Sequence, residues 1–210
     1  MNASSFKDIE SLEKHFNKIA GLLMNRIVLI VNEKQYRFTE LEFYFYSPGF
    51  HEDPYIHEHK LQLETGHWYF HPSGLDITFG DGINHGGILI RGMRRIYAEK
   101  GFFISGPLKV VHEIFLSMGN ICGHEQVLRL MDTDEMPGEE LVRSTRIGLK
   151  EKEPAGFIDK YYRYITFPFE PSHDYAEKTL VAHSMLNEEK QMKKYSKEEI
   201  NEGFRWIIVK

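Results

Sequence analysis

The chain has 210 residues, a formal net charge of −5 and a single cysteine. A hydrophobic share of 41% and an aromatic share of 13% suffice for a packed core and exclude a disordered or low-complexity chain. The charge excludes a strong global attraction to nucleic acid or to an anionic membrane, and one cysteine excludes an internal disulfide and suits a reducing compartment. The longest apolar runs fall far short of the roughly 20 residues that span a bilayer. The start, MNASSFKDIESLEKHF, is charged and amphipathic and has no signal-peptide core. These features set the expectation of a cytoplasmic protein with no membrane contact.

In chain order, the first element reads as a helix over about 5–24, with Phe6, Ile9, Leu12, Phe16, Ile19 and Leu23 on one face and Ser4 or Ser5 as its cap. RIVLIVN and EKQYRFTELEFYFY read as two strands joined at Asn32-Glu33-Lys34. In the second strand Leu41, Phe43 and Phe45 point one way, and Glu40, Glu42, Tyr44 and Tyr46 the other. Two more strands, His67 to His71 and Leu75 to Phe79, meet at Pro72-Ser73-Gly74. A glycine-rich turn, GDGINHGG, leads into the strand ILIRGMRRI. SGPLKVVHEIFLSMG is a helix with Pro107 in its first turn, Gly119 at its end, and Val111, Ile114, Phe115 and Met118 as its apolar face. Residues 132–140 read as loop, and STRIGLKEK and YYRYITF as strands. The Lys/Glu-rich tail reads as helix to Lys197, followed by a short helix capped by Ser196 and Glu199 and a final strand, WIIVK. The fold class is α+β, a single domain with a mixed or mostly antiparallel curved sheet and surrounding helices. The main unit over 1–170 carries an extension over 171–210 packed on the same domain.

Three features carry possible chemistry. Glu42 and Tyr44 share a strand face, where a carboxylate can polarise water and a ring can stack on a planar substrate. The bland alternative is a glutamate on a solvated face. The run from His51 to Glu64 holds three histidines and several acids. There, His57 and His59 followed by Glu64 form half of a cupin-type metal site. The second half of that pattern is absent, and the alternative is a polar surface loop. Gly80, Gly82, Gly86 and Gly87 have the wrong spacing for a phosphate loop and read as a turn. Cys122, between Ile121 and Gly123, reads as a buried inert thiol.

Taken in order, FNKIAGLLMNRIVLI, TELEFYFYSPGFHEDPYIH, DITFGDGINHGGILIRGM, ISGPLKVVHEIFLSMG, and STRIGLK with YRYI resemble the alkylpurine (3-methyladenine) DNA glycosylase family over residues 6 to 168. The resemblance implies that family's fold. It also implies hydrolysis of the N-glycosidic bond of damaged purines in double-stranded DNA, by base flipping and an activated water, with no cofactor and no metal. In that alignment Glu42 falls on the general base and Arg91 on the arginine that helps hold the water. Tyr44 and His57 fall on the pair that sandwiches the flipped base. Asp76 falls near an Asn beside the base, and Tyr69 near the Tyr that wedges into the duplex.

The departures are specific. Phe43 replaces a small Ala, Asp76 replaces Asn, and the segment between Glu58 and His67 is shorter than the family's Arg/Gly-rich one. The net charge is −5, whereas a duplex-binding enzyme is expected to be basic. Arg91, Arg94, Arg95, Lys100, Lys109, Arg143 and Arg146 supply the candidate phosphate-binding face. Two alternatives follow. The same fold could act on a free purine nucleoside or nucleotide without duplex DNA, or the His57, His59, Glu64 set could bind a metal.

Overall fold

The computed structural model describes residues 6–97, 102–120, 122 and 125–192. It is a single-domain α+β structure built on a curled antiparallel half-barrel sheet, with three α-helices among the described residues. Helix α1 (Ile9–Asn25) starts one turn later than the periodicity suggests. Its cap is Asp8, whose Oδ1 accepts from the Ser11 amide at 2.8 Å while Ser11 Oγ accepts from the Asp8 amide. Residues 1–5, including Ser4 and Ser5, lie outside the described residues. Leu12, Phe16, Ala20, Leu23 and Met24 form its buried face.

Strands β1 (Ile27–Val31) and β2 (Lys34–Ser47) form a hairpin with a two-residue turn, Val31 facing Lys34. Asn32 takes the left-handed conformation there (φ 52°), which asparagine tolerates better than most residues. The short strand β3 (His51–Glu52) pairs with the end of β2. A 3-10 turn (Lys60–Leu63) precedes β4 (Thr65–His71), β5 (Gly74–Phe79) and β6 (His85–Arg95). Strand β7 (Phe103–Ser105) pairs with the end of β6 and leads into helix α2 (Pro107–Met118). Strands β8 (Leu128–Asp132), β9 (Val142–Ser144) and β10 (Arg163–Ile165) follow, and then helix α3 (Lys178–Met192).

The main sheet runs in the order β4-β5-β6-β2-β1-β8, with β3 and β10 also on β2, β7 on β6 and β9 on β10. Strand β2 is its spine. β6 covers one of its edges, while β1, β10 and β3 share the other. Leu41, Phe43, Phe45, Leu75, Ile77, Ile88 and Ile90 face one side, where α1 and α2 close the core. Phe16 meets Phe43 with ring centroids 4.9 Å apart, and Phe43 meets Tyr164 at 5.1 Å. The opposite face of β2 is also buried, so its carboxylates do not sit on a solvated face.

Three expectations need correction. Strand β8 is absent from the sequence reading, because its alternation of partly buried and exposed residues is that of an edge strand laid on β1. The buried face of α2 is Val110, Ile114 and Ser117, and Phe115 is exposed, resting on Phe70. Strand content in STRIGLKEK shrinks to Ser144, the last residue of β9, and in YYRYITF to three residues. In the tail, Val181, Ala182 and Met185 of α3 pack on Val142, Ile165 and Tyr175. The expected helix at Ser196–Glu199 and the strand WIIVK lie outside the described residues, as does Lys100.

Phe43→Ala removes a ring with no exposure from the centre of the sheet. It should cost about 3–5 kcal/mol, read from urea denaturation. His173 is fully buried, stacked on Phe103 at 4.5 Å, and burial pushes its imidazole down to about 4 from 6.5. Between those values only the unfolded chain takes the proton, so this contribution to stability is complete above pH 6.5. It is lost as the pH falls, by about 3 kcal/mol in all. His173→Phe should therefore flatten the acid limb of the stability–pH profile between about pH 6.5 and 4.

Candidate functional site

The polar face of the sheet builds a cavity of about 430 Å³ lined by β2, β5, β6, the His57 loop, the first turn of α2 and the segment after β9. One wall starts at a fault in the ladder between β2 and β6. Phe38 pairs with Met93, Glu40 with Gly92 and Leu41 with Ile90, so Thr39 and Arg91 are passed over. Such irregularities re-aim side chains. Here Arg91 Nε donates to Glu40 Oε1 at 2.9 Å and lies 3.5 Å from Glu42 Oε1. Arg163 Nε, from β10, donates to the same Glu40 oxygen at 2.8 Å.

Glu42 has no solvent exposure and lies directly behind the lining residues. Its Oε1 accepts from the Ile147 amide at 2.8 Å and its Oε2 from the Tyr44 hydroxyl at 2.8 Å. Ile147, Tyr44 and Arg91 all line the cavity. Burial raises the Glu42 carboxyl above its ordinary range, against the opposing pull of Arg91. Burial, with Glu42 beside it, pushes the Tyr44 phenol well above its usual value, so it remains a donor.

Tyr44 is held from behind. Arg146 stands over its ring at 4.6 Å and makes a two-pronged bond to Asp53, at 2.5 and 3.2 Å. Both partners are fully buried, and Arg146 also donates to the Phe43 and Phe157 carbonyls. Arg146 is therefore part of the pocket's support and not of a phosphate-binding face.

The facing wall carries His57, His71, Asp76 and Gln62. His71 Nε2 bonds Asp76 Oδ1 at 3.0 Å, and Gln62 Nε2 donates to Asp76 Oδ2 at 3.1 Å. The His57 and His71 rings meet edge to face at 4.5 Å. Burial, with His71 adjacent, lowers the His57 imidazole, which favours its neutral form. Tyr69 stacks on His59 at 4.5 Å and on His71 at 5.1 Å, so it braces this wall from the side. Lys150, Lys152 and Tyr55 stand at the mouth.

Of the residues singled out from the sequence, the structure brings Tyr44, His57, Asp76 and Arg91 to one cavity, with Glu42 directly behind them and Tyr69 beside them. It does not bring His57, His59 and Glu64 together. His59 caps the 3-10 turn through Nδ1, and Glu64 bonds His67 at 2.8 Å. Among the described residues no three His, Cys, Asp or Glu side chains converge so as to hold a metal ion. Cys122 is exposed, contrary to the expectation of a buried thiol. The glycine-rich stretch does more than turn: a Cβ at Gly87 would lie 2.6 Å from Asp76 Oδ2 and 2.7 Å from Gln62 Nε2. Sequence reasoning missed Glu40, Asp53, Gln62, His71 and Ile147. Of these only Glu40 had a signal, its period-two relation to Glu42.

No family model matches the chain. It is 30% identical over 192 residues to an uncharacterized protein of Acanthamoeba polyphaga mimivirus, an alignment covering 74% of this chain and 87% of the viral one. The chain belongs to the same family as that viral protein.

Gly87→Ala places a methyl group between Gln62 and Asp76. It should lower stability by about 1–3 kcal/mol in urea denaturation. An unchanged midpoint would mean that the two side chains do not meet over this glycine.

Proposed function

We propose that this cavity binds a purine base and that Glu42 drives hydrolysis of its N-glycosidic bond, as in alkylpurine DNA glycosylases acting on damaged DNA. The observation that carries the reading is the convergence of Tyr44, His57 and Arg91 on one cavity of about 430 Å³, with Glu42 bonded to Tyr44 directly behind them. The base sits between the Tyr44 ring and the His57 imidazole, extruded from its stack. A water at the Glu42 end meets Arg91 and the Ile147 backbone. As the C1′–N9 bond breaks, its electron pair leaves with the base, and the sugar gains oxocarbenium character. Glu42 stabilises that charge and takes the proton of the water, whose oxygen bonds to C1′. The raised proton affinity of Glu42 suits a general base. The chemistry consumes only water, leaves an abasic site and requires neither metal nor cofactor.

A second reading, hydrolysis of a free purine nucleoside or nucleotide, is favoured by three observations. Arg146 is buried against Asp53, Arg94 lies over Phe103 and Phe167, and Tyr69 is held between two imidazoles. Tyr69, enlisted for duplex contact by the resemblance, and two arginines of the candidate phosphate-binding face are thereby engaged inside the fold.

The test is a single-turnover assay on a labelled duplex carrying 7-methylguanine, hypoxanthine or ethenoadenine, with the corresponding nucleosides in parallel. Glu42→Gln keeps shape and loses proton acceptance. Its rate should fall by about 10²–10⁴-fold while ligand affinity changes little. Equal rates in wild type and variant would remove Glu42 from the role of base. Duplex affinity that falls steeply with salt would support the DNA substrate, and a flat dependence with nucleoside turnover the second reading.

A further inference from the structure

Among the described residues, the Asp76 carboxylate is the one acidic side chain in the lining of the cavity, and its surroundings fix what it can offer a ligand. Each oxygen takes one donor, His71 Nε2 on Oδ1 and Gln62 Nε2 on Oδ2. Both donors are themselves fixed. The Ser73 amide donates to His71 Nδ1 at 3.3 Å, which turns Nε2 and its proton toward Asp76. Gln62 Oε1 accepts from the His59 amide at 3.1 Å, which sets the amide's orientation, with its NH₂ toward Asp76. The absence of a side chain at Gly87 lets Gln62 and Asp76 meet.

A carboxylate oxygen has two acceptor sites, so one on each oxygen remains after these bonds. The group has nothing to donate. From this geometry, and resting on the purine reading above, we infer that Asp76 selects bases that present hydrogen-bond donors, foremost the paired N–H groups of a guanine-type edge. The N1–H and the exocyclic N2 amino group of guanine match a carboxylate's two oxygens. Hypoxanthine keeps the N1–H and lacks the amino group. Ethenoadenine has no N–H donor on that edge: N1 is bonded into the etheno ring, and only C–H groups face the carboxylate. Covering Asp76 with such a base desolvates its two remaining acceptor sites without supplying a donor, which penalises the ligand strongly.

The test compares binding of guanosine, inosine and 1,N6-ethenoadenosine to the intact protein by calorimetry, independently of any turnover. Guanosine should bind about 100-fold more tightly than ethenoadenosine, with inosine between them. In Asp76→Asn, whose amide can both donate and accept, the spread should shrink to about 10-fold or less. The wild-type order alone tests the inference if the variant does not fold. Ethenoadenosine binding as tightly as guanosine would overturn the inference, even if duplex ethenoadenine is hydrolysed and the hydrolytic reading stands. The predicted order without hydrolysis of any substrate would uphold the inference and sink the hydrolytic reading. Absence of binding by all three nucleosides would overturn the inference.

Discussion

Two carboxylates and two guanidinium groups buried on one face of β2 are the constraint around which the sheet is arranged. Glu40 receives Arg91 from β6 and Arg163 from β10, and Glu42 receives Arg91, Tyr44 and the Ile147 backbone. The charges balance within the cluster, which is what makes burial tolerable. Taken singly, none of these groups is affordable: losing one partner would strand a charge at a cost of about 3–5 kcal/mol. The cluster also fixes geometry. Strands β2, β6 and β10 must keep their mutual register for the four side chains to meet, so the polar face dictates pairing as firmly as the aromatic core does.

The pocket is supported in the same way. Four of the side chains that line it are each held by a second group: Tyr44 by Arg146 and Glu42, Asp76 by His71 and Gln62, His71 by Ser73, and Arg91 by Glu40. Such fixing reduces the reorganisation that binding or reaction would otherwise require. The formal charge of −5 obscures this organisation. Arg37, Arg146 and Arg163 are all buried and bonded inside the fold, so the count of basic residues says little about the surface a partner meets.

Much of the framework was legible where one periodicity ruled. Helix α1 and the β1–β2 hairpin follow from a 3.6-residue stripe and from alternation around Asn32-Glu33. Strand β8 was not legible, since its residues are half-exposed and flank polar loop. On α2, Val111, Ile114 and Met118 pack on the core as read, but Phe115 was misplaced, because the helix's outer residues, Leu108, Phe115 and Leu116, are as apolar as its inner ones. At the site, Glu42 and Tyr44 stood out by sharing a strand face. Their supports did not, because Asp53 and Arg146 lie 93 positions apart and no local pattern links them. The difference between Arg146 on a surface and Arg146 beneath a tyrosine is purely tertiary.

The skipped pairing at Thr39 and Arg91 has a mechanical side. The carbonyl of Arg91 accepts from the Gly106 amide at 2.7 Å, at the very start of α2, and the carbonyl of Thr39 accepts from the Thr166 amide at 3.0 Å, just past β10. Groups released from the ladder thus become tethers to the helix on one side and to the closing strand on the other. Pro107, next in the chain after Gly106, lines the cavity as well. The first turn of α2 is therefore wired to the arginine by a single peptide group. Disturbance there would be felt at Arg91 before it was felt in the core.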